Sequence, residues 1–377
     1  GLIRRRPPRR PAAAPVMNDF AKKFLNEDWR AMPDAPRFYL CGFGKHPGWN
    51  DHLDDIGVIT DSLIKAKALI YDGIVHQVES AAWEKGGPEK MARGFDHVIH
   101  WRRMNESLTG LMWSSSDGKG RSLYPMITLA HCVGQPFGWQ AEEVLPALEE
   151  VGKKCRATTS SVSVVAILNA AQESLRARLA VLPGAPLNSL GVGEKEWAAW
   201  FTREPTGLRR ILHHLRTNFA ACAPGSAAWC ENKQPVPAQS RALRLPVIPG
   251  ASPADSLHAW LSFLSTQLNS AVPLLGLCPA GREWLDVIVG EPADADFVVL
   301  RTLPAATPIV SDIPYQLGTA MSAEEAGVFA NLARGELPAV SCLNGFNIAA
   351  NRQAAAKSLA NSRLGFFSRL LRSGTPF

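Results

Sequence analysis

Short apolar segments alternate with longer amphipathic ones along the first half of the chain. The short segments are rich in aromatic and β-branched residues and predict strands at residues 38–41, 95–102, 108–113 and 124–132. Residues 61–83 instead place apolar side chains three and four positions apart, the period of a helix with one buried face. Helical patterns follow at residues 140–155, 160–182 and 194–219. This order predicts an α/β (α+β) fold, a small sandwich with additional helices.

Prolines cluster between residues 222 and 254 and predict a domain boundary. Beyond them, the pattern predicts a helix at residues 256–269 and strands at residues 272–277, 283–289 and 297–300. We therefore expect five parts: a flexible basic lead (1–16), an N-terminal α/β domain with a helical extension (17–225), a Pro-rich linker (226–252), a second, smaller α/β module (253–350) and a basic amphipathic tail (351–377).

The formal net charge of +6 is concentrated at the two ends of the chain. Residues 1–16 contribute five arginines and residues 352–377 contribute five further cations, both without an acid, which leaves the body mildly acidic. Because a nucleic-acid groove needs basic residues gathered on one face, we expect no nucleic-acid partner. The apolar and basic stripe at residues 354–372 would allow a peripheral membrane contact, although such stripes more often pack on their own domain.

The seven cysteines are scattered along the chain without a CxxC pair. Such spacing favours reduced, mostly buried thiols. The basic lead has no apolar core, and no apolar run reaches the ~20 residues that span a bilayer. We therefore expect neither a signal peptide nor a membrane span, and a cytoplasmic location.

Two polar loops carry the candidate chemistry. The first, residues 42–52, has the sequence GFGKHPGWNDH, and the second, residues 114–121, has the sequence SSSDGKGR. A lysine after a glycine suggests phosphate binding, but a Walker loop requires GxxxxGK followed by Ser or Thr. Here His46 and Pro47 follow Lys45, and proline lacks the N–H that a phosphate would need. We expect no nucleotide and no other cofactor.

A metal-dependent hydrolase is the alternative interpretation of the first loop. Imidazole and carboxylate groups suit zinc or iron, and the chain offers His46, Asp51, His52 and, further on, His131. No HExxH or HxH pair is present, and such histidines are more often surface or hydrogen-bonded core residues. The serines of the second loop lie outside a GxSxG elbow, so no catalytic residue is assigned.

We expect Asp51 and Arg121 to tie the two loops together. An arginine fork can hold one carboxylate through two parallel hydrogen bonds. The pair would be either a structural clamp or part of a polar surface shaped for a partner. In the second case Lys45, Trp49 and Lys119 would form the rim of that surface.

The two loops together resemble a pair of motifs in the N-terminal domain of TagF, also called ImpM, a family of accessory proteins of bacterial type VI secretion. The family patterns are close to GKxPxxGDF and, later, SxDxxGRxFPL. The matching positions are Gly44, Lys45, Pro47, Asp51, Ser115, Asp117, Gly120, Arg121 and Pro125. The chain departs from the patterns at Asn50, His52 and Tyr124, with one extra residue before Tyr124. The resemblance covers residues 37–135.

The resemblance implies a fold similar to longin or roadblock domains and no established catalysis. It also implies a non-enzymatic cytoplasmic regulator that represses assembly of the secretion system after translation. The implied partner is a forkhead-associated scaffold or another secretion-system component. The candidate interaction or structural site consists of Gly44, Lys45, Pro47, Trp49, Asp51, Ser115, Asp117, Lys119, Gly120 and Arg121.

Overall fold

The computed structural model describes most of the chain between residues 37 and 334. The described residues are 37–53, 55–79, 95–103, 106–135, 137–179, 192–223, 241–269, 271–300 and 307–334. The predicted basic lead and basic tail lie outside them. The described residues belong to one compact unit.

A seven-stranded antiparallel sheet organises the described residues. The strands are β1 (Arg37–Gly44), β2 (His97–Arg103), β3 (Glu106–Trp113), β4 (Met126–Val133), β5 (Ala242–Pro246), β6 (Leu274–Pro279) and β7 (Trp284–Val289). Their spatial order is β1-β4-β3-β2-β6-β7-β5. The predicted α+β class is confirmed, as are six of the seven predicted strands.

The pairing of β2 with β6 joins the two halves of the sequence. Val98 of β2 lies opposite Cys278 of β6, and all six residues of β6 take part in this ladder. Because β2 belongs to the predicted N-terminal domain and β6 to the predicted second module, one sheet runs through both. β5 is formed by residues that the sequence assigned to the linker.

Two predicted elements are wrong in their detail. Residues 297–300 belong to a 3-10 helix, Asp294–Leu300, because the place beside β7 is taken by β5 and Phe297 packs on a helix instead. The single helix predicted at 194–219 is two helices. Pro205 starts the second one, and a residue that precedes proline avoids the helical conformation.

Helices cover both faces of the sheet. In chain order they are α1 (Asp61–Glu79), α2 (Leu145–Arg156), α3 (Ser161–Leu179), α4 (Val192–Arg203), α5 (Pro205–Asn218), α6 (Pro253–Gln267) and α7 (Ala323–Ala333). A first turn at Phe137–Trp139 and a π-helical stretch at Gln140–Val144 lead into α2. Among the described residues, no helix combines the length and the apolar character that crossing a bilayer requires.

Strand residues alternate between the two faces of the sheet, so both faces are apolar. The core has three parts, one on the first face and two on the second. On one face, α1 buries Leu63 and Ile74 against strand residues such as Ile99. On the other face, α2 and α3 cover one end of the sheet, while α4, α5 and α6 cover the end formed by β6, β7 and β5. The result is a three-layer sandwich.

The cysteines of the described residues are all buried and unpaired, as predicted. They are Cys41, Cys132, Cys155, Cys222 and Cys278. Burial raises the pKa of the Cys41 and Cys278 thiols to about 12, so these thiols stay protonated and unreactive at neutral pH.

A chain of side-chain hydrogen bonds fastens the start of α1 to the sheet. His131 of β4 contacts Thr60 Oγ1 through Nδ1 at 3.0 Å and Glu106 Oε2 through Nε2 at 2.7 Å. Ser62 Oγ donates to the other oxygen of Glu106 at 2.6 Å. Thr60 also accepts the backbone N–H of Leu63, a bond typical of a helix N-cap. These contacts fix the first turn of α1 against β3 and β4.

Two histidines of β2 are buried among apolar residues. Burial lowers the pKa of His97 to about 4. The pKa of His100 is also held well below its usual value, first by burial and then by the nearby charges of His258 and Arg102. Both imidazoles are therefore neutral at pH 7.

We expect the protein to lose stability as the pH falls from about 6.5 towards 4. In that window the unfolded chain binds a proton at His97 that the folded chain does not, so acid favours unfolding. The variant His97→Gln should lose about 2 kcal/mol less unfolding free energy than the wild type between pH 7 and pH 5. Urea unfolding at the two pH values measures this. Identical pH dependence in both proteins would contradict it.

Candidate functional site

β1 ends at Gly44, within the first loop. The residue has a φ of +109°, and a Cβ placed on it would lie 2.1 Å from the carbonyl oxygen of Pro125. The next residue, Lys45, donates its backbone N–H to that same oxygen at 3.1 Å. Only glycine fits here, because the start of the first loop lies directly against the segment that leads into β4.

His46 anchors the first loop to the corner between α2 and α3. Its Nδ1 accepts the backbone N–H of Gly48 at 3.0 Å, so the proton is on Nε2, which donates to the carbonyl of Cys155 at 2.9 Å. Trp49 meets the imidazole edge-on, with ring centroids 5.7 Å apart. A Cβ on Gly48 would lie 2.7 Å from the backbone nitrogen of Ser161. The loop is therefore packed against the fold on its inner side.

Asp117 is the centre of the second loop. Its side chain is fully buried, and Oδ1 accepts the backbone N–H groups of Lys119 at 2.9 Å and Arg121 at 3.0 Å. Its other oxygen, Oδ2, accepts Lys45 Nζ and Arg121 Nε, each at 2.7 Å. One carboxylate thus folds its own loop and binds the lysine of the other loop.

The protonation state of Asp117 follows from these contacts. Burial by itself would raise the pKa of this carboxyl group. The hydrogen bonds from Lys45 and Arg121 outweigh burial and hold the pKa well below its usual range. The carboxylate is charged throughout the physiological pH range.

Asp51 lies at the outside of the same network, with 67% of its side chain exposed. Its Oδ1 accepts Lys45 Nζ at 3.1 Å and Arg121 Nη2 at 3.1 Å, and it contacts His52 Nδ1 at 3.2 Å. The hydrogen bond from Lys45 is the main reason that the pKa of Asp51 is lowered. The predicted contact between Asp51 and Arg121 is therefore present.

The form of that contact differs from the prediction. The guanidinium of Arg121 does not hold one carboxylate with two parallel bonds. It bridges Asp117 and Asp51, and its Nη2 also donates to the carbonyl oxygen of Asn50 at 2.9 Å. Nε of Arg121 therefore contacts the second loop, and Nη2 contacts the first.

The structure separates the predicted site residues by depth. Lys45 was predicted at the rim, but only 4% of its side chain is exposed, because it lies between two carboxylates. The exposed members are Asp51, Lys119, Gly120 and Arg121, and the half-buried ones are Pro47, Trp49 and Ser115. Gly118 links the loops further by donating its N–H to the carbonyl of Trp49 at 2.7 Å. We call this assembly of residues 44–52 and 114–121 the two-loop surface.

An aromatic cluster borders the two-loop surface. The rings of His52, Tyr71 and Tyr124 meet pairwise, with centroids 5.3 to 5.8 Å apart. His52 and Tyr124 are the two positions at which the chain has a different ring from the phenylalanine of the family patterns, and the fold places them in contact. Tyr71, from α1, was not predicted as a site residue, because nothing in either motif indicates which helix residue packs beside them.

The residues of the metal alternative are not brought together. Both ring nitrogens of His46 are used within the loop corner, and His131 is bound to Thr60 and Glu106 at the start of α1. Only Asp51 and His52 touch each other. Over the residues that the structure describes, no group of three or more His, Cys, Asp or Glu side chains is arranged to hold a metal ion.

Comparisons with known proteins add little to this geometry. No protein-family model matches the chain, and no curated protein matches it. Among solved structures, the crystal structure of PA0076 from Pseudomonas aeruginosa PAO1 is similar over 70% of this chain and 94% of its own, with 14% sequence identity and a TM-score of 0.32. A similarity this low does not allow any residue role to be carried over.

Most of the reactive groups of the two-loop surface are already engaged in contacts within the protein. The lysine that a phosphate would need is buried and already bound to two carboxylates. His46 is bonded to the carbonyl of Cys155 in α2, and His52 contacts Asp51. The groups that face outwards carry both signs of charge, on loops whose inner sides are fixed by hydrogen bonds. A fixed polar surface of this kind is suited to binding another macromolecule.

We expect the buried part of the network to be needed for stability and the exposed part to be dispensable. Lys45→Met should lower the melting temperature by roughly 5 °C or more, because it leaves a buried carboxylate with one cation fewer. Asp51→Ala should change the melting temperature by less than about 2 °C, since exposed pairs contribute little. Differential scanning calorimetry measures both. Lys119→Met, the same substitution at an exposed lysine, is the control, and an equal loss in both lysine variants would contradict the assignment.

Proposed function

We propose that the chain is a non-enzymatic accessory protein of a bacterial type VI secretion system, similar to TagF/ImpM proteins, that represses assembly after translation by contact with a protein partner. We also propose that the protein is cytoplasmic and contacts this partner there. The proposal begins with the resemblance of the two loop motifs. Its structural support is that Asp117, Lys45 and Arg121 hold these two loops together as one surface.

The contacts of the buried Asp117 with Lys45 and Arg121 give the motif residues a shared structural role. This role does not depend on a chemical reaction. A buried carboxylate that accepts four hydrogen bonds fixes the backbone of its own loop. Lys45 then fixes the first loop relative to the second, although the two lie 72 positions apart in sequence. A surface fixed in this way loses little conformational entropy on binding, which favours affinity for a partner.

The exposed charges indicate the chemistry of the contact. Asp51 and Arg121 already neutralise each other in part, whereas Lys119 is an exposed cation beside them. A partner that complements this surface therefore presents a carboxylate towards Lys119 and a hydrogen-bond donor towards Asp51. A forkhead-associated scaffold of the secretion system is the partner we propose.

We expect Asp51→Ala/Lys119→Ala to weaken capture of secretion-system components strongly while leaving the fold intact. Both side chains are exposed, and the contacts of Asp117 with Lys45 and Arg121 remain in this variant. Tagged full-length protein would be captured from its native cytoplasm, and the captured proteins identified and quantified by mass spectrometry. The scaffold should be recovered with the wild type and depleted by about tenfold or more with the variant.

The matched control is Glu142→Ala/Lys195→Ala, which removes one exposed acid and one exposed base outside the two loops. This control should capture the same components as the wild type. If the wild type captures no secretion-system component, the proposed function is wrong. If the two variants capture the scaffold equally well, the partner binds elsewhere on the protein.

A further inference from the structure

A small polar cavity lies between the sheet and the helices that cover the face opposite α1. Its volume is about 20 Å³. The residues that line it come from both halves of the sequence and include His100 and Arg102 of β2, Ser107 of β3, Gln135 and Gln140 before α2, and Ser265 of α6. All of these except Arg102 are buried. We call this space the polar cavity.

Strand alternation brings polar side chains to this face of the sheet. Arg102 lies opposite Ser107, and His100 lies opposite Thr109. Neighbours in register point to the same face. Trp101, between the two β2 residues, packs in the core under α1, so His100 and Arg102 point to the other face, which α6 covers.

Arg102 carries the charge that faces the polar cavity. Its guanidinium donates a hydrogen bond to Ser265 Oγ of α6. Glu106 also borders the cavity, but its carboxylate lies on the α1 side of the sheet, where it contacts Ser62 and His131. The other polar groups named in the lining are neutral.

The hydrogen bonds around the polar cavity have fixed directions. Gln140 Nε2 donates to the backbone carbonyl of Gln135 at 3.1 Å, which leaves Gln140 Oε1 as an acceptor. The hydroxyl groups of Ser107 and Thr109 donate to that oxygen at 2.8 Å and 2.6 Å. Thr109 has then used its only proton, so it accepts the Nδ1–H of His100 at 2.8 Å. These hydroxyl and imidazole protons are therefore already used within the network.

Gln135 Oε1 is a buried acceptor of the lining that has no hydrogen-bond partner among the described residues. The residue is only 2% exposed. Its Nε2 donates to the carbonyl of Arg37 at 2.8 Å, which fixes the orientation of the amide. Buried polar atoms without a protein partner are rare, and ordered water commonly supplies the hydrogen bond. A molecule that completes this site must donate a hydrogen bond to Gln135 Oε1.

We propose that the polar cavity binds a single water molecule that donates a hydrogen bond to Gln135 Oε1. An anion is disfavoured because this oxygen needs a donor, and a cation is disfavoured by the guanidinium of Arg102. Water suits both neighbours because it donates and accepts hydrogen bonds. The volume of about 20 Å³ exceeds the roughly 10–15 Å³ that one water requires and is too small for an organic ligand.

The bound water adds a link between the two halves of the sequence. Gln135 follows β4, whereas Ser265 belongs to α6 on the other side of the Pro-rich stretch, and both line the same cavity. Because Ser265 already accepts a hydrogen bond from Arg102 of β2, the water lies next to a direct polar contact between the halves. A buried polar atom is tolerated where water supplies its hydrogen bond.

A crystal structure of the full-length protein, at a resolution that shows ordered water, tests this inference. We expect a water oxygen in the polar cavity, about 2.7 to 3.2 Å from Gln135 Oε1 and within hydrogen-bond distance of at least one further polar group of the lining. Its B-factor should be similar to those of the surrounding side chains, because a buried water is held by about three hydrogen bonds.

Magnetic relaxation dispersion of ¹⁷O in water gives a second measurement in solution, since it counts the waters that stay bound for longer than the protein takes to tumble. Gln135→Met removes the acceptor while keeping the length of the side chain, and it should lower this count by one. The control is Gln77→Met, at a buried glutamine of α1 on the other face of the sheet. Both variants lose an amide hydrogen bond to a backbone carbonyl, that of Arg37 in the first and that of Asp294 in the control. The control should keep the wild-type count.

Three outcomes would overturn the inference. They are a polar cavity without electron density for water, density there whose height and contacts identify an ion, and equal counts of long-lived waters in Gln135→Met and the wild type. Circular dichroism shows whether each variant is folded. If Gln135→Met does not fold, the crystal structure of the wild type decides the result alone.

Discussion

The antiparallel pairing of β2 with β6 is the contact on which the rest of the described fold depends. It makes one sheet from strands that lie on either side of a proline-rich stretch. An apolar sheet must be covered on both faces, so α1 covers one face and the helices from α2 to α6 share the other. A cavity of about 350 Å³ between α2 and the start of α6 results from the same pairing.

The two-loop surface depends on a second constraint, the burial of a charge. A buried carboxylate is tolerated only when cations and N–H groups surround it, and Asp117 has both. Its partners come from two loops, so the loops take up one relative position.

The local pattern predicted most of the elements but not their assembly. Six predicted strands and the helix α1 are present within a few residues of their expected ends. β5 was missed because it is five residues long, lies among prolines and ends at Pro246. It is an edge strand, and an edge position tolerates the missing N–H of proline. The predicted strand at residues 297–300 was wrong because β5 occupies the place beside β7.

The sequence by itself determined the α+β class, the positions of the two polar loops and the residues that match the family motifs. Only the tertiary structure decided which of those residues face the solvent. Lys45 and Asp117 are buried while Asp51 is exposed, although all three have the same polar character in the sequence. The reason is that these residues are buried by the approach of two segments about seventy positions apart. The local pattern of polar and apolar residues contains no information about such an approach.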